Sequence, residues 1–122
     1  DLQREYTVSY MLIAHHLAMV RYMCTWVAVM YLGEIVELSP AKDLFANPSH
    51  PYTKALMSAA LPSHPDTVQE EIILTGEVPS PLNPPSGCHF HTRCPVAMDR
   101  CAVDVPVKKE ISPGHTVSCH LF

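Results

Sequence analysis

Apolar positions in this chain fall into short runs separated by polar breaks, and the spacing within each run predicts an element. Residues 1–6 (DLQREY) read as the last turns of a helix. Residues 8–13 (VSYMLI) are continuous, apolar and partly β-branched, the pattern of a buried strand in a parallel sheet. After Ala14, His15 and His16, residues 17–24 (LAMVRYMC) place apolar side chains at helical spacing. Strand, short polar loop and helix together predict the βα unit of an α/β fold. His15 then sits at the carboxyl end of a strand, where such folds collect ligand groups.

Residues 26–32 (WVAVMYL) predict a second strand, Gly33 a turn, and residues 34–38 (EIVEL) the return strand of a β-hairpin. Ser39 and Pro40 read as a helix start, with Ser39 as cap and Pro40 in the first turn. The helix that follows (AKDLFA) ends at Asn47-Pro48, and a further helix is expected from Pro51 to Ala60, closed by Leu61-Pro62. Residues 62–71 (PSHPDTVQEE) read as a polar linker and 72–78 as extended. The segment PSPLNPPSG cannot be helical, because prolines remove amide donors and fix φ. Residues 88–122 show little periodicity and are expected to need cross-links for order.

Composition sharpens this division. All 12 prolines lie at or after Pro40, and four of the five cysteines fall in the last 35 residues. The 122 residues match about one domain by length, and 48% apolar content is enough for a packed core. A formal charge of -4 gives neither a nucleic-acid footprint nor a polybasic membrane anchor. No signal-peptide pattern opens the chain, and the most apolar stretch is interrupted by His15, His16, Arg21, Glu34 and Glu37, so no membrane span is expected.

Two groups of residues carry candidate chemistry. His15 is either a polar strand end satisfied by backbone or an imidazole that contacts a phosphate. Cys88, Cys94, Cys101 and Cys119 follow the spacing C-x5-C-x6-C-x17-C. The tight C-x2-C pair of zinc ribbons is absent, and wide gaps suit an iron–sulfur cluster. His89, His91, His115 and His120 flank the cysteines, which leaves a mixed Cys/His zinc site open. Two disulfides or four buried thiols are the remaining alternatives. Cys24 reads as a small core residue, and Met11, Met19, Met23, Met30 and Met57 as core filler.

The string SYMLIAHHLAMVRYMCTWVAVMYLGEIVEL resembles the switch-histidine segment of ABC-transporter ATPases. The strings NPSHPYTKALMSA and GEVPSPLNPPSGCHFHTRCPVAMDRC resemble the C-terminal extension of one subgroup, the oligopeptide/dipeptide (and nickel) importer ATP-binding subunits. The resemblance covers about residues 2–121. It implies that His15 is the switch histidine, contacting the γ-phosphate of ATP and helping to position the attacking water. It implies that Asn47, Pro48, His50, Pro51, Tyr52 and Thr53 form the subgroup's hallmark segment. It also implies that Cys88, Cys94, Cys101 and Cys119 match the ligands of a [4Fe-4S] cluster found in some members, with a structural or regulatory role. Two departures remove charge: His16 stands where the family has aspartate, and Thr25-Trp26 where it has Asp-Arg.

The chain carries no G-x-x-x-x-G-K-[ST] phosphate loop, no LSGGQ-type signature and no Walker B pair; its four glycines are at 33, 76, 87 and 114. The expectation is therefore a C-terminal fragment. Residues 1–47 would end an α/β ABC-type P-loop ATPase domain, 48–71 would be a helical connector, and 72–122 a small irregular Pro/Cys-rich extension. ATP and Mg would bind only in the intact parent, and the chain alone is expected to be inactive. Partners would be membrane permease subunits and a second ATP-binding subunit, at the cytoplasmic face of the inner membrane, with no nucleic acid. Rival readings are a stand-alone cluster- or zinc-binding module and a non-catalytic domain that docks to a partner ATPase.

Overall fold

The structure is a computed structural model and describes residues 2–14, 16–60 and 72–122. Helix α1 spans Leu2–Tyr6 and α2 spans Leu17–Met23. Strands β1 (Trp26–Tyr31) and β2 (Glu34–Pro40) follow, then α3 (Ala41–Ala46) and α4 (Pro51–Ala60). A short 3-10 helix at Asp99–Ala102 precedes β3 (Lys108–Ser112) and β4 (His115–Ser118). The four strands form one antiparallel sheet in the order β1-β2-β4-β3.

The β1–β2 hairpin forms where the apolar alternation placed it. Leu32 and Gly33 both take positive φ, 48° and 80°, which is the two-residue turn whose twist matches paired strands. On β1 the side chains of Val29 and Tyr31 are buried and Val27 is half-buried, while Trp26, Ala28 and Met30 face outward. The register steps from Val29↔Glu37 to Met30↔Ile35, so Val36 is an extra residue on β2. Such a bulge re-aims side chains, and here both Val36 and Glu37 are buried. A strict alternation would have sent one of them to solvent.

Glu37 is a carboxylate with 1% exposure. Its oxygens accept the backbone N–H groups of Ser49 (2.9 Å) and His50 (3.0 Å) and the Nε2 of His115 (2.6 Å). The last contact is also an ion pair when the imidazole is protonated. Burying a charge is costly unless it is paired and hydrogen-bonded, and these three donors meet that condition. They also join β2, the loop before α4, and β4.

Helix α3 buries Ala41 and Leu44, and Arg21 of α2 lies over the Phe45 ring at 5.8 Å. Ser39 does not cap this helix. Pro40 occupies the cap position, and the Ser39 hydroxyl donates to the Pro40 carbonyl (3.1 Å). Helix α4 begins at Pro51, whose missing N–H is not needed in a first turn.

Three further expectations are corrected. Residues 8–14 form no strand, and every one of them is exposed, with Met11 at 87% and Ile13 at 91%. A buried strand needs neighbours on both edges, and among the described residues none pairs with this run. Met11 is exposed with that run, Met30 lies on the outward face of β1, and Met19 and Met23 are exposed on α2, so of the five candidate methionines only Met57 is in the core. In the opposite sense, residues 88–122 hold the β3–β4 hairpin, whose turn at Gly114 packs against Trp26. It was missed because the strand KKEIS is almost wholly polar and exposed. The expected linker at 62–71 and the helix stop at Leu61-Pro62 lie outside the described residues.

Removing the Glu37 carboxylate leaves two amides and an imidazole buried without an acceptor. Glu37→Ala is expected to lower stability by about 3–5 kcal/mol, whereas Glu34→Ala, on the exposed rim, stays within about 0.5 kcal/mol. Urea unfolding of the two variants checks this, and equal midpoints would refute the keystone role of Glu37.

Candidate functional site

Cys88, Cys94, Cys101 and Cys119 line one cavity. The chain brings them there from separate loops. Residues 86–97 form consecutive turns, held by Cys88 N to Cys101 O (2.8 Å), His91 N to Cys88 O (3.0 Å) and Arg93 N to Phe90 O (3.0 Å). Cys101 sits in the 3-10 helix, and Cys119 follows directly after β4. Gly87 permits the closest approach. Its φ is +68°, and a Cβ there would collide with the Cys101 carbonyl and come within 2.8 Å of the Ala102 carbonyl carbon. Ser86 Oγ also donates to the Ala102 carbonyl (2.7 Å).

All five cysteines are free thiols in this structure. The amide of Met98 donates to Cys101 Sγ (3.4 Å). Backbone amides also donate toward the other three sulfurs: Phe90 and His91 to Cys88, Val96 to Cys94, and Leu121 to Cys119. Burial pushes the Cys88, Cys94 and Cys119 thiols up, and the other cysteines of the set push them further. Burial of this kind disfavours the thiolate form of Cys88, Cys94 and Cys119, which a bound cation would favour. Among the described residues, no three His, Cys, Asp or Glu side chains meet tightly enough for a single metal ion.

The remaining cavity walls are His50, Pro51, Phe90, His91, Val96, His120 and Leu121. Phe90, 1% exposed, anchors the cysteine loops to the rest of the fold. Its ring meets Tyr31 edge-on at 5.1 Å, Tyr52 at 5.3 Å and His50 at 5.7 Å. Sequence reasoning missed Phe90, although an aromatic residue flanked by two histidines directly after a cysteine is a readable signal. It also missed Glu37, which looked like the polar half of a strand alternation.

The flanking histidines separate into two groups. His115 is committed to Glu37, and His89 lies 3.4 Å from Glu34. His91 and His120 line the cavity, with ring nitrogens bonded to the carbonyls of Cys88 (2.7 Å) and Asp104 (2.8 Å). His15 lies outside the described residues. His16 precedes α2 and makes no side-chain cap. Cys24 is half-buried, away from the other four, beside a shallow groove lined by Arg21, Thr25, Lys42 and Phe45. No helix among the described residues is long and apolar enough to cross a membrane.

Residues 36–101 match the family model described as the oligopeptide/dipeptide transporter C-terminal region, and the chain belongs to that family. The chain is 50% identical over 119 residues to a Brucella ovis protein named for peptide import and ATP binding, covering 98% of this chain and 38% of that one. It is 47% identical over 124 residues to the oligopeptide transport ATP-binding protein AppF of Bacillus subtilis, covering 100% of this chain and 38% of AppF. It is 47% identical over 120 residues to the di/tripeptide transport ATP-binding protein DppF of Pseudomonas aeruginosa, covering 98% and 37%. The chain thus spans a little over a third of the length of these relatives.

Burial lowers the His50 pKa from 6.5 to about 4, against the opposing pull of the Glu37 carboxylate. Above pH 6.5 the ring is neutral in folded and unfolded chains alike. As pH falls from about 6.5 to about 4, the unfolded chain takes up a proton that the folded chain refuses, so stability drops. Below about 4 both states are protonated and the loss levels off. The metal-free chain is expected to lose about 3 kcal/mol across this window relative to His50→Asn, measured by denaturant unfolding at stepped pH. Parallel pH profiles for the two proteins would refute the assignment.

Proposed function

We propose that this chain is the C-terminal portion of the ATP-binding subunit of a peptide ABC importer, a subunit that couples ATP hydrolysis to peptide uptake through membrane permeases. The observation that carries the reading is the 47–50% identity running over essentially the whole chain to proteins named for peptide transport and ATP binding. ATP and Mg belong to the intact subunit, paired with a second ATP-binding subunit at the cytoplasmic face of the membrane. His15 has the role of γ-phosphate contact, a donor aimed at charge that develops during hydrolysis. In a subunit of the relatives' length, His15→Ala is expected to cut ATP-driven peptide uptake by roughly 100-fold while nucleotide binding persists. Undiminished uptake would refute the role.

Cys88, Cys94, Cys101 and Cys119 are proposed to hold a [4Fe-4S] cluster. Their convergence on one cavity, the amides donating toward each sulfur, and the absence of a tight C-x2-C pair in their spacing are what support this reading. When bound, the cluster supplies four iron–thiolate bonds and a one-electron couple. The residues themselves do the rest: Phe90 and Gly87 set the loops, and the amides stabilise the thiolate form. Anaerobic purification is expected to give a brown chain with about four iron and four labile sulfide, and Cys101→Ser is expected to abolish both. A colourless chain with bound zinc would overturn the cluster.

A further inference from the structure

His50 stands at the junction of α4 and the cysteine cavity, and its two ring nitrogens have different fates. Nδ1 accepts the backbone N–H of Tyr52 at 3.0 Å, capping the first turn of α4. A nitrogen that accepts carries a lone pair, so in the neutral ring the proton resides on Nε2. That Nε2 is fully buried and has no hydrogen-bond partner among the described residues. An unsatisfied buried donor costs about 1–3 kcal/mol, and the ring is held in place by its cap bond and by Phe90.

The cavity wall limits what this donor can serve. Apart from the cysteines, the polar side chains there are His50, His91 and His120. His91 and His120 already direct one ring nitrogen to a backbone carbonyl, which as acceptor requires the N–H on that side. Only His50 keeps an N–H uncommitted. For the same reason His50 is not a ligand, because its Nε2 has no lone pair to give. We propose that the Nε2–H of His50 donates a hydrogen bond to a sulfur of the group held by Cys88, Cys94, Cys101 and Cys119, so that His50 is a positioning residue that sets that group's reduction potential. The inference rests on the cluster reading above. A donor to sulfur withdraws electron density and favours the reduced state.

Two substitutions divide the functions of the ring. Asn places an oxygen near the Nδ1 position and keeps the helix cap, but withdraws the donor from the cavity. Gln extends an amide N–H toward the Nε2 position and gives up the cap. In anaerobically prepared full chain, His50→Asn is expected to retain its iron and to shift the midpoint potential negative by about 59 mV, a tenfold change in the one-electron equilibrium. His50→Gln is expected to hold the potential near the parent value while losing stability. Pulsed EPR of the reduced parent carrying histidine 15N-labelled in the imidazole ring only is expected to show a nitrogen coupling that survives His120→Asn and disappears in His50→Asn. An unchanged potential in iron-loaded His50→Asn, or no such coupling in the parent, would overturn the assignment. A parent chain that takes up no iron at all would instead refute the cluster itself, and this inference with it.

Discussion

The buried carboxylate of Glu37 holds the rest of the structure in place. It accepts hydrogen bonds from residues 12, 13 and 78 positions further along the chain. No apolar contact could substitute for it, since two of the donors are backbone amides at the start of α4 that have no helical partner of their own. Fixing those amides fixes the direction in which α4 leaves the sheet. It also fixes the backbone of His50, whose ring stands in the cysteine cavity. One side chain therefore relates the sheet, a helix start and the candidate site.

The cysteine region depends on this frame because it has little regular structure of its own. Between Ile72 and Lys108, the 3-10 helix at Asp99–Ala102 is the one helix or strand. Turns order the segment, and three features pin the turns: Gly87 pressed against the backbone at Cys101, Phe90 in the aromatic cluster, and amides directed at sulfurs. Aromatic pairs contribute about 0.5–1.5 kcal/mol beyond area burial, so the cluster around Phe90 is a substantial share of what a segment this poor in apolar contacts can gather. The raised Cys88, Cys94 and Cys119 thiols mark the remaining cost: burial and the neighbouring cysteines disfavour their thiolate forms, and the amides directed at the sulfurs offset only part of this.

What the sequence made legible was local. The β1–β2 hairpin, α3 and α4 each carry their own signal in Gly33, in Pro40 and in Pro51. The four cysteines were legible as a set, though their neighbours were not. Elements that depend on distant partners were misread. The run VSYMLI has the composition of a buried strand and no strand beside it among the described residues, so composition alone could not make it one. The strand KKEIS has no apolar face, and it is a strand because β4 lies beside it. Glu37 is inward because a bulge at Val36 breaks the alternation, and periodicity cannot foresee a bulge. The polarity of the His50 ring depends on which nitrogen caps α4, information that exists only in three dimensions.

Sheet pairing has a consequence for how the two halves of the chain communicate. β4 pairs with β2 through Glu37↔Val117 and Leu38↔Thr116, so residues near the carboxyl end lie inside the same sheet as the hairpin near the amino end. Cys119 follows Val117 by two positions, and Val117 is 1% exposed. Cys119 is thus tethered, through β4, to the strand that carries Glu37 and hence to the residue that organises the start of α4. Through β3 and β4 the cysteine region completes the sheet, so its order and that of the hairpin near the amino end rest on one hydrogen-bonded framework.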